Sequence, residues 1–260
     1  TVGVQSFDDE ALRILGRRYS GKDALKAVAL CQEAVRNVGI DLMFGLPVGG
    51  VSRVEADIKR AMTIQPQHVS FYQLTVHAAN GVWNGLRMPD DDSIIAEYKV
   101  GRRALARAGF KQYEISNFAR AGHECRHHQN CWRHGTYMGL GAGAASFVVE
   151  DVDPFCGRRW KVKCDVKLFM SGAIEHEQDE SIARREGLAE MFMLGLRTMA
   201  GLSRYAVQER FGGIGPDVAK EIDSLVYDGW MKSDEHGWRL TEEGILMLDS
   251  VVERVVRRIR

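Results

Sequence analysis

The stretch Gly39-Ile40-Asp41-Leu42-Met43-Phe44-Gly45-Leu46-Pro47-Val48-Gly49-Gly50, a helical run over residues 51–64, then Pro66 and His68-Val69-Ser70-Phe71-Tyr72-Gln73-Leu74-Thr75-Val76 decides the fold. A short apolar run carrying one carboxylate is closed by the breakers Gly45 and Pro47, and a second apolar run follows one helix later. Strand, helix, strand at this spacing predicts a βαβ unit, hence a parallel sheet with right-handed crossovers. Upstream the pattern repeats. Thr1-Val2-Gly3-Val4-Gln5-Ser6-Phe7 alternates as a strand, and Asp8 and Asp9 precede a helical stretch over 10–15. Ser20 caps a longer helix over 22–37 with Leu25, Val28, Ala29 and Val35 on one face, and Gly39 ends it. The fold class is therefore α/β. In such sheets, as in βα barrels, ligands sit at the carboxyl ends of the strands, where Gln5, Asp41, Gln73 and Thr75 lie.

With 260 residues and a 45% hydrophobic share, the chain has enough apolar mass for one large or two medium domains. Lys plus Arg, at 35, balance Asp plus Glu, also 35, so bulk charge favours neither nucleic acid nor an anionic membrane. The five cysteines are odd in number and scattered, which points to free thiols and a reducing, cytoplasmic setting. No apolar run approaches the ~20 residues that span a bilayer. The chain opens inside a strand with no initiator methionine, so it reads as part of something longer whose targeting signals lie elsewhere.

Functional chemistry is densest in Tyr113-Glu114-Ile115-Ser116-Asn117-Phe118, Cys125-Arg126-His127-His128-Gln129-Asn130-Cys131-Trp132 and Tyr137-Met138-Gly139-Leu140-Gly141-Ala142-Gly143-Ala144. Such a mixture of imidazole, thiol, amide and indole is expected to need a ligand to satisfy it. The glycine run is not a dinucleotide fingerprint, because Phe147-Val148-Val149 reads as a strand rather than a helix; it suits close backbone approach in a tight turn. From about Ser181 the chain reads as helices. Ser203 starts a short one, Pro216 opens the next and Gly229 closes it. A hairpin around His236-Gly237 follows, and Thr241 starts the last helix. Helix, helix, wing, helix is a winged-helix-like order, and Arg254, Arg257, Arg258 and Arg260 offer a basic face for DNA. The neutral bulk charge favours a packing and cover domain instead.

Gly3-Val4-Gln5-Ser6-Phe7, the run from Ile40 to Pro47, Tyr113-Glu114-Ile115-Ser116-Asn117-Phe118-Ala119 and Cys125-Arg126-His127 together resemble the radical-SAM proteins related to oxygen-independent coproporphyrinogen III oxidase, nearest the HemW-type haem chaperones. The resemblance implies the second half of a partial βα barrel over 1–110, a family-specific linker region over 111–178 and an α-rich, winged-helix-like domain over 179–260. It further implies an upstream half whose C-x3-C-x2-C loop holds a [4Fe-4S] cluster. No such spacing exists here, so this chain is expected to supply none of the cluster ligands and not to be catalytically active alone. Gln5, Arg17, Asp41 and Thr75 would then contact S-adenosylmethionine, with carboxylate for ribose hydroxyls, guanidinium for the methionine carboxylate and amide for either.

The family's His-Asn-x-x-Tyr-Trp motif, linked to haem, corresponds to His127, His128, Cys131 and Trp132; His127 and Trp132 match, while the family Asn is His128 and the Tyr is Cys131. Two other readings stand beside haem: a zinc site from Cys125, His128, Cys131 and His134, and an ordinary polar loop. The implied function is a haem chaperone that passes haem to acceptor proteins, its membrane contact made only through an acceptor, with a homodimer as a candidate assembly and without nucleic acid. The alternative is an oxygen-independent coproporphyrinogen III oxidase making protoporphyrinogen IX.

Overall fold

A computed structural model describes residues 1–75, 85–152 and 155–259. The chain forms two compact units, Thr1–Glu124 and Cys125–Arg260. The first contains β1 (Val2–Gln5), α1 (Asp9–Ile14), α2 (Gly21–Ala34), β2 (Gly39–Phe44), α3 (Gly50–Met62), β3 (His68–Gln73), α4 (Asp91–Arg107), β4 (Lys111–Gln112) and β5 (Asn117–Ala119). Its sheet has the order β1-β2-β3-β5-β4. As the βαβ pattern predicts, β1, β2 and β3 run parallel, with β2 and β3 in register from Gly39 against His68 to Phe44 against Gln73. β5 joins β3 antiparallel, and β4 pairs with β5 at the edge.

Ile40, Leu42, Phe44, Val69 and Phe71 are buried. Phe44 stacks on Phe71 with ring centroids 4.5 Å apart and on Tyr98 of α4 at 5.5 Å. A Cβ on Gly101 would fall 2.3 Å from the Phe71 ring, so only glycine lets α4 lie this close to β3. Ser20 caps α2 reciprocally with Asp23, and Asp8 caps α1. The face expected for α2 is corrected. Gly21, Ala24 and Val28 are the buried residues, Ala29 is exposed, and Val35 lies beyond the helix end with 54% of its surface exposed. The helix stops at Ala34, so the buried stripe is set by its start, where Gly21 packs on the Phe7 carbonyl. Val76, expected to continue the third strand, lies outside the described residues.

Below the carboxyl ends of β1 and β2 sits a buried ionic cluster. The Arg53 guanidinium donates to the carbonyls of Met43 (3.1 Å) and Val48 (3.2 Å), to Asp57 (2.9 Å) and to Glu97 (3.3 Å). Glu97 also accepts from the Gly45 amide, and Asp57 accepts from the Ser6 hydroxyl and the Phe7 amide, both at 2.7 Å. Burial pushes the Asp57 carboxyl above the usual carboxylate range, against the pull of Ser6, Phe7 and Arg53.

The second unit contains α5 (Arg126–Trp132), β6 (Ala145–Val152), β7 (Phe155–Val162), α6 (Val166–Met170), β8 (His176–Ala183), α7 (Arg184–Gly195), β9 (Leu202–Ser203), α8 (Arg204–Phe211), α9 (Gly215–Tyr227), β10 (Met231–Ser233), β11 (Gly237–Leu240), α10 (Glu242–Leu246) and α11 (Leu248–Val256). The strand expected after the glycine run is β6, and a Cβ on Gly139 would fall 2.3 Å from the Ala145 carbonyl oxygen, the close approach anticipated there. The helices expected from Ser181 begin later, because Ser181 lies in β8 and α7 starts at Arg184. β6, β7 and β8 form an antiparallel sheet whose charged strands are joined by Arg158–Asp179, Arg159–Glu180 and Lys161–Glu177 pairs. Ser203 caps α8, Pro216 lies in the first turn of α9, and Thr241 caps α10. β10 and β11 form the expected hairpin, with β9 added beside β11.

Beyond α5, His134 is buried with φ 56°. Its Nδ1 faces an Arg210 nitrogen at 3.0 Å and its Nε2 faces Glu190 at 2.8 Å. Arginine only donates, so Nδ1 must accept and Nε2 must carry the proton, which fixes a neutral tautomer. Arg159 donates to the same Glu190 oxygen at 2.6 Å. Burial pushes Glu190 upward, but the His134 and Arg159 hydrogen bonds outweigh it and hold the carboxyl below its usual range.

Two outcomes are expected. Arg53→Met strands two buried carboxylates and should lower stability by about 3–5 kcal/mol in urea unfolding, and a loss under about 1 kcal/mol would refute the cluster's central place. Glu190, with its folded pKa depressed, contributes stability that is present above its unfolded value of roughly 4.3 and is lost as pH falls through the folded value. The melting temperature of Glu190→Gln should therefore trail wild type at pH 7 and converge with it under acid; a gap independent of pH would show that charge at this site is irrelevant.

Candidate functional site

The sheet end of the first unit carries Gln5 in an unusual backbone state. Its φ is 67°, and its amide Nε2 folds back over Gly3, 2.8 Å from where a Cβ there would lie. For a non-glycine residue this conformation costs on the order of 1–3 kcal/mol and persists only where the surroundings fix it. Here Ser6 and Phe7, the next two residues, are clamped by Asp57. Asp41 is half-buried on the sheet face opposite Ile40, Leu42 and Phe44, in register with Ser70, while Met43 on the same face is in register with the exposed Tyr72. Gln5 and Asp41 therefore lie on adjacent strands at a partly open polar surface. Thr75 is exposed just past β3. Arg17 is exposed on the turn between α1 and α2. Burial pushes the nearby Tyr19 phenol upward, and the charge of Arg17 pulls it back in part.

Most polar groups of the Tyr113–Phe118 run are engaged within the fold, while the Asn117 Oδ1 is buried without a hydrogen-bond partner. Tyr113 bonds its hydroxyl to His68 Nε2 at 2.7 Å. Glu114 accepts from the Ser116 amide and the Asn117 side chain. The Ile115 carbonyl takes the Tyr98 hydroxyl and the Gln112 amide, and the Ser116 carbonyl takes the Phe71 amide. These residues fasten β3 to α4, and the fold takes up most of their polarity.

The His and Cys run is not a loop: Cys125 precedes α5. Helical phase divides the four haem candidates, because neighbours in sequence point about 100° apart while i and i+4 share a face. His127 and Cys131 form one pair, Nε2 to Sγ 3.7 Å, with the Tyr137 ring edge-on to His127 at 6.1 Å. His128 and Trp132 form the other, with ring centroids 6.3 Å apart and Arg197 over the indole at 5.2 Å. His128 Nδ1 and Trp132 Nε1 are buried without a hydrogen-bond partner.

Beside the first pair runs an open groove of about 610 Å³, lined by Arg126, His127, Arg133, Tyr137 and Met138 among others, which is the size of a cofactor site. Burial, with a further contribution from Cys125, pushes the Cys131 thiol upward, so at neutral pH it is not the thiolate that binds metals. The zinc reading is corrected: both ring nitrogens of His134 are engaged by Glu190 and Arg210, and no group of three or more metal-binding side chains is found among the described residues. The cysteines are free and do not converge, so they do not fit a [4Fe-4S] cluster.

The basic face suggested for DNA is tied up in ion pairs. Arg254 binds Glu221 and Asp228, Arg258 binds Glu221, and Arg257 binds Glu253; Arg260 lies outside the described residues. Sequence reading gave Arg126 and Arg133 no role, although their separation of seven residues is the only signal needed to place both along one side of a helix.

The HemN C-terminal domain family matches residues 182–247. The chain is 32% identical over 258 residues to heme chaperone HemW of Escherichia coli strain K12, covering 97% of this chain and 67% of that protein. It is 28% identical to heme chaperone HemW of Haemophilus influenzae, covering 97% and 66%. The chain thus spans about two thirds of the length of the curated relatives it matches. Coproporphyrinogen III oxidase (HemN) from Escherichia coli, a radical SAM enzyme, shares its fold with a TM-score of 0.76 at 16% identity, over 97% of this chain and 62% of that one. Across nearly its whole length the chain therefore belongs to the HemW heme-chaperone family of radical-SAM-related proteins.

Proposed function

We propose that this chain is the haem-holding portion of a cytoplasmic haem chaperone, with His127 as an axial ligand on the open groove beside α5, and that it passes haem to acceptor proteins. The observation that carries the reading is the phase of α5, which turns His127 onto a groove of cofactor size beside a thiol kept protonated. A carrier must release its cargo. One imidazole on an open groove leaves the opposite haem face accessible to an acceptor, which a closed two-ligand pocket would not. Behind the oxidase alternative stand a fold likeness at 16% identity and the HemN C-terminal domain match over residues 182–247, whereas a relative 32% identical over 97% of the chain is a heme chaperone.

In this reading the first unit is the second half of a partial βα barrel, completed by an upstream half that carries the cluster. S-adenosylmethionine supplies the sulfonium chemistry of the radical-SAM class when bound at the sheet end. Asp41 suits its ribose hydroxyls and the Gln5 amide its polar edge, with Thr75 at the neighbouring strand end. Arg17 suits the methionine carboxylate by chemistry, but it sits on an exposed turn. The strained, clamped Gln5 supports a binding surface here. The second unit, with its winged-helix-like order, is a packing and cover domain; the ion-paired arginines of α11 and the residues just after it support a role without nucleic acid.

Haem titration followed by the Soret band tests the assignment. His127→Ala should weaken binding by about tenfold or more, equivalent to 1.4 kcal/mol or more, while His128→Ala, on the other face, should change it far less. Equal affinity of His127→Ala and wild type would remove His127 as ligand, and absence of saturable binding by the wild-type chain would remove the haem reading itself.

A further inference from the structure

Several arginines of this chain pair with carboxylates, among them Arg53, Arg158, Arg159, Arg239, Arg254, Arg257 and Arg258. Arg126 and Arg133 are not among them: both are exposed, and neither makes an ion pair among the described residues. Both line the groove beside His127, and no acidic side chain of the described residues lines it with them. Arg126 is the first residue of α5 and Arg133 follows its last. A separation of seven residues is two helical turns, about 10 Å along the axis, which sets both on the same side. The bonds around them hold that geometry: Asn130 donates to the Thr136 carbonyl, the Gly135 amide to the Asn130 carbonyl, and His134 is fixed by Glu190 and Arg210. Two exposed guanidinia and the His127 imidazole thus line one open groove.

Resting on the haem reading above, we infer that Arg126 and Arg133 make this groove selective for tetrapyrroles with free carboxylates, engaging the ring's acidic edge while His127 meets the metal. Guanidinium matches carboxylate bidentately, and the match depends on ionised acid groups rather than on iron. Recognition is then divided. The acid groups set which tetrapyrrole enters and in what orientation, and the imidazole senses whether it carries metal. A tetrapyrrole lacking ionised side chains would meet two guanidinia it could only desolvate.

The test compares binding of haem, haem dimethyl ester and iron-free protoporphyrin IX to the wild-type chain, Arg126→Gln/Arg133→Gln and Arg126→Lys/Arg133→Lys, read by absorbance and tryptophan fluorescence. Wild type should prefer haem to its dimethyl ester by about tenfold or more, as expected for losing one or more charge-assisted hydrogen bonds. The glutamine variant should bind both alike, and the lysine variant should keep part of the preference. Both arginines are exposed and unpaired, so an unchanged melting temperature should accompany these effects. Equal wild-type affinity for haem and its ester, or a preference that survives in the glutamine variant, would overturn the inference while leaving haem binding intact. If none of the three compounds binds, the haem reading fails and this inference with it.

Discussion

The guanidinium of Arg53 is the interaction on which the first unit's working surface depends. Its side chain is almost wholly buried, a position tenable for a fixed cation only when every direction of its fork meets an acceptor. It meets four: the Met43 carbonyl of β2, the Val48 carbonyl of the following loop and two carboxylates from different helices. Lysine, a point donor on a flexible stem, could not span that set. The consequences run outward along hydrogen bonds. Glu97 fixes the Gly45 amide, and with it the turn that ends β2. Asp57 fixes Ser6 and Phe7, and with them the left-handed Gln5 at the end of β1. The ends of two parallel strands thereby become one rigid piece. The cluster lies beneath that surface without forming part of it.

The second unit solves the same problem for a weaker element. α5 has seven residues, too few to be stable in isolation, and none of them is fully buried. What orients it is the turn behind it. There His134 takes up a left-handed backbone, and its ring is wedged 4.5 Å from Phe147 between Glu190 of α7 and Arg210 of α8. Arg159 ties the same carboxylate to β7. The histidine that spacing offers as a metal ligand is the bolt that aims the others.

Much of the architecture is written locally. Strand and helix alternation gave the parallel sheet, and Asp8, Ser20, Ser203 and Thr241 start helices where their side chains cap them. Of the β6–β7–β8 sheet only β6 was legible, because β7 and β8 are charged rather than alternating in hydropathy: Arg158, Arg159 and Lys161 face Asp179, Glu180 and Glu177, and that pairing is visible only once the strands are adjacent. Arg53 and Asp57 were hidden for the opposite reason. An i,i+4 Arg–Asp pair reads as an exposed helix face, and only the long-range arrival of Glu97 and Ser6 makes it a core. For the site, resemblance nominated His127, His128, Cys131 and Trp132 together, but nomination carries no helical phase. Phase separates them into two faces, and the groove that His127 lines brings in Arg126, Arg133 and Tyr137.

Cys131 illustrates why that phase matters for a carrier. A thiolate beside His127 would compete for iron or hold it too firmly, whereas a thiol pushed upward by burial stays neutral and acts as a small apolar filler under the imidazole. In the proposed haem site iron would gain one strong protein ligand, with the Arg126 and Arg133 guanidinia adding affinity through the acid edge. Affinity divided between one axial bond and solvent-facing ion pairs can be surrendered stepwise: an acceptor approaching the open face can take the free axial position before the rim contacts break. A site built from two buried axial ligands would have to lose both before transfer began, and its barrier would rise with the affinity it had gained.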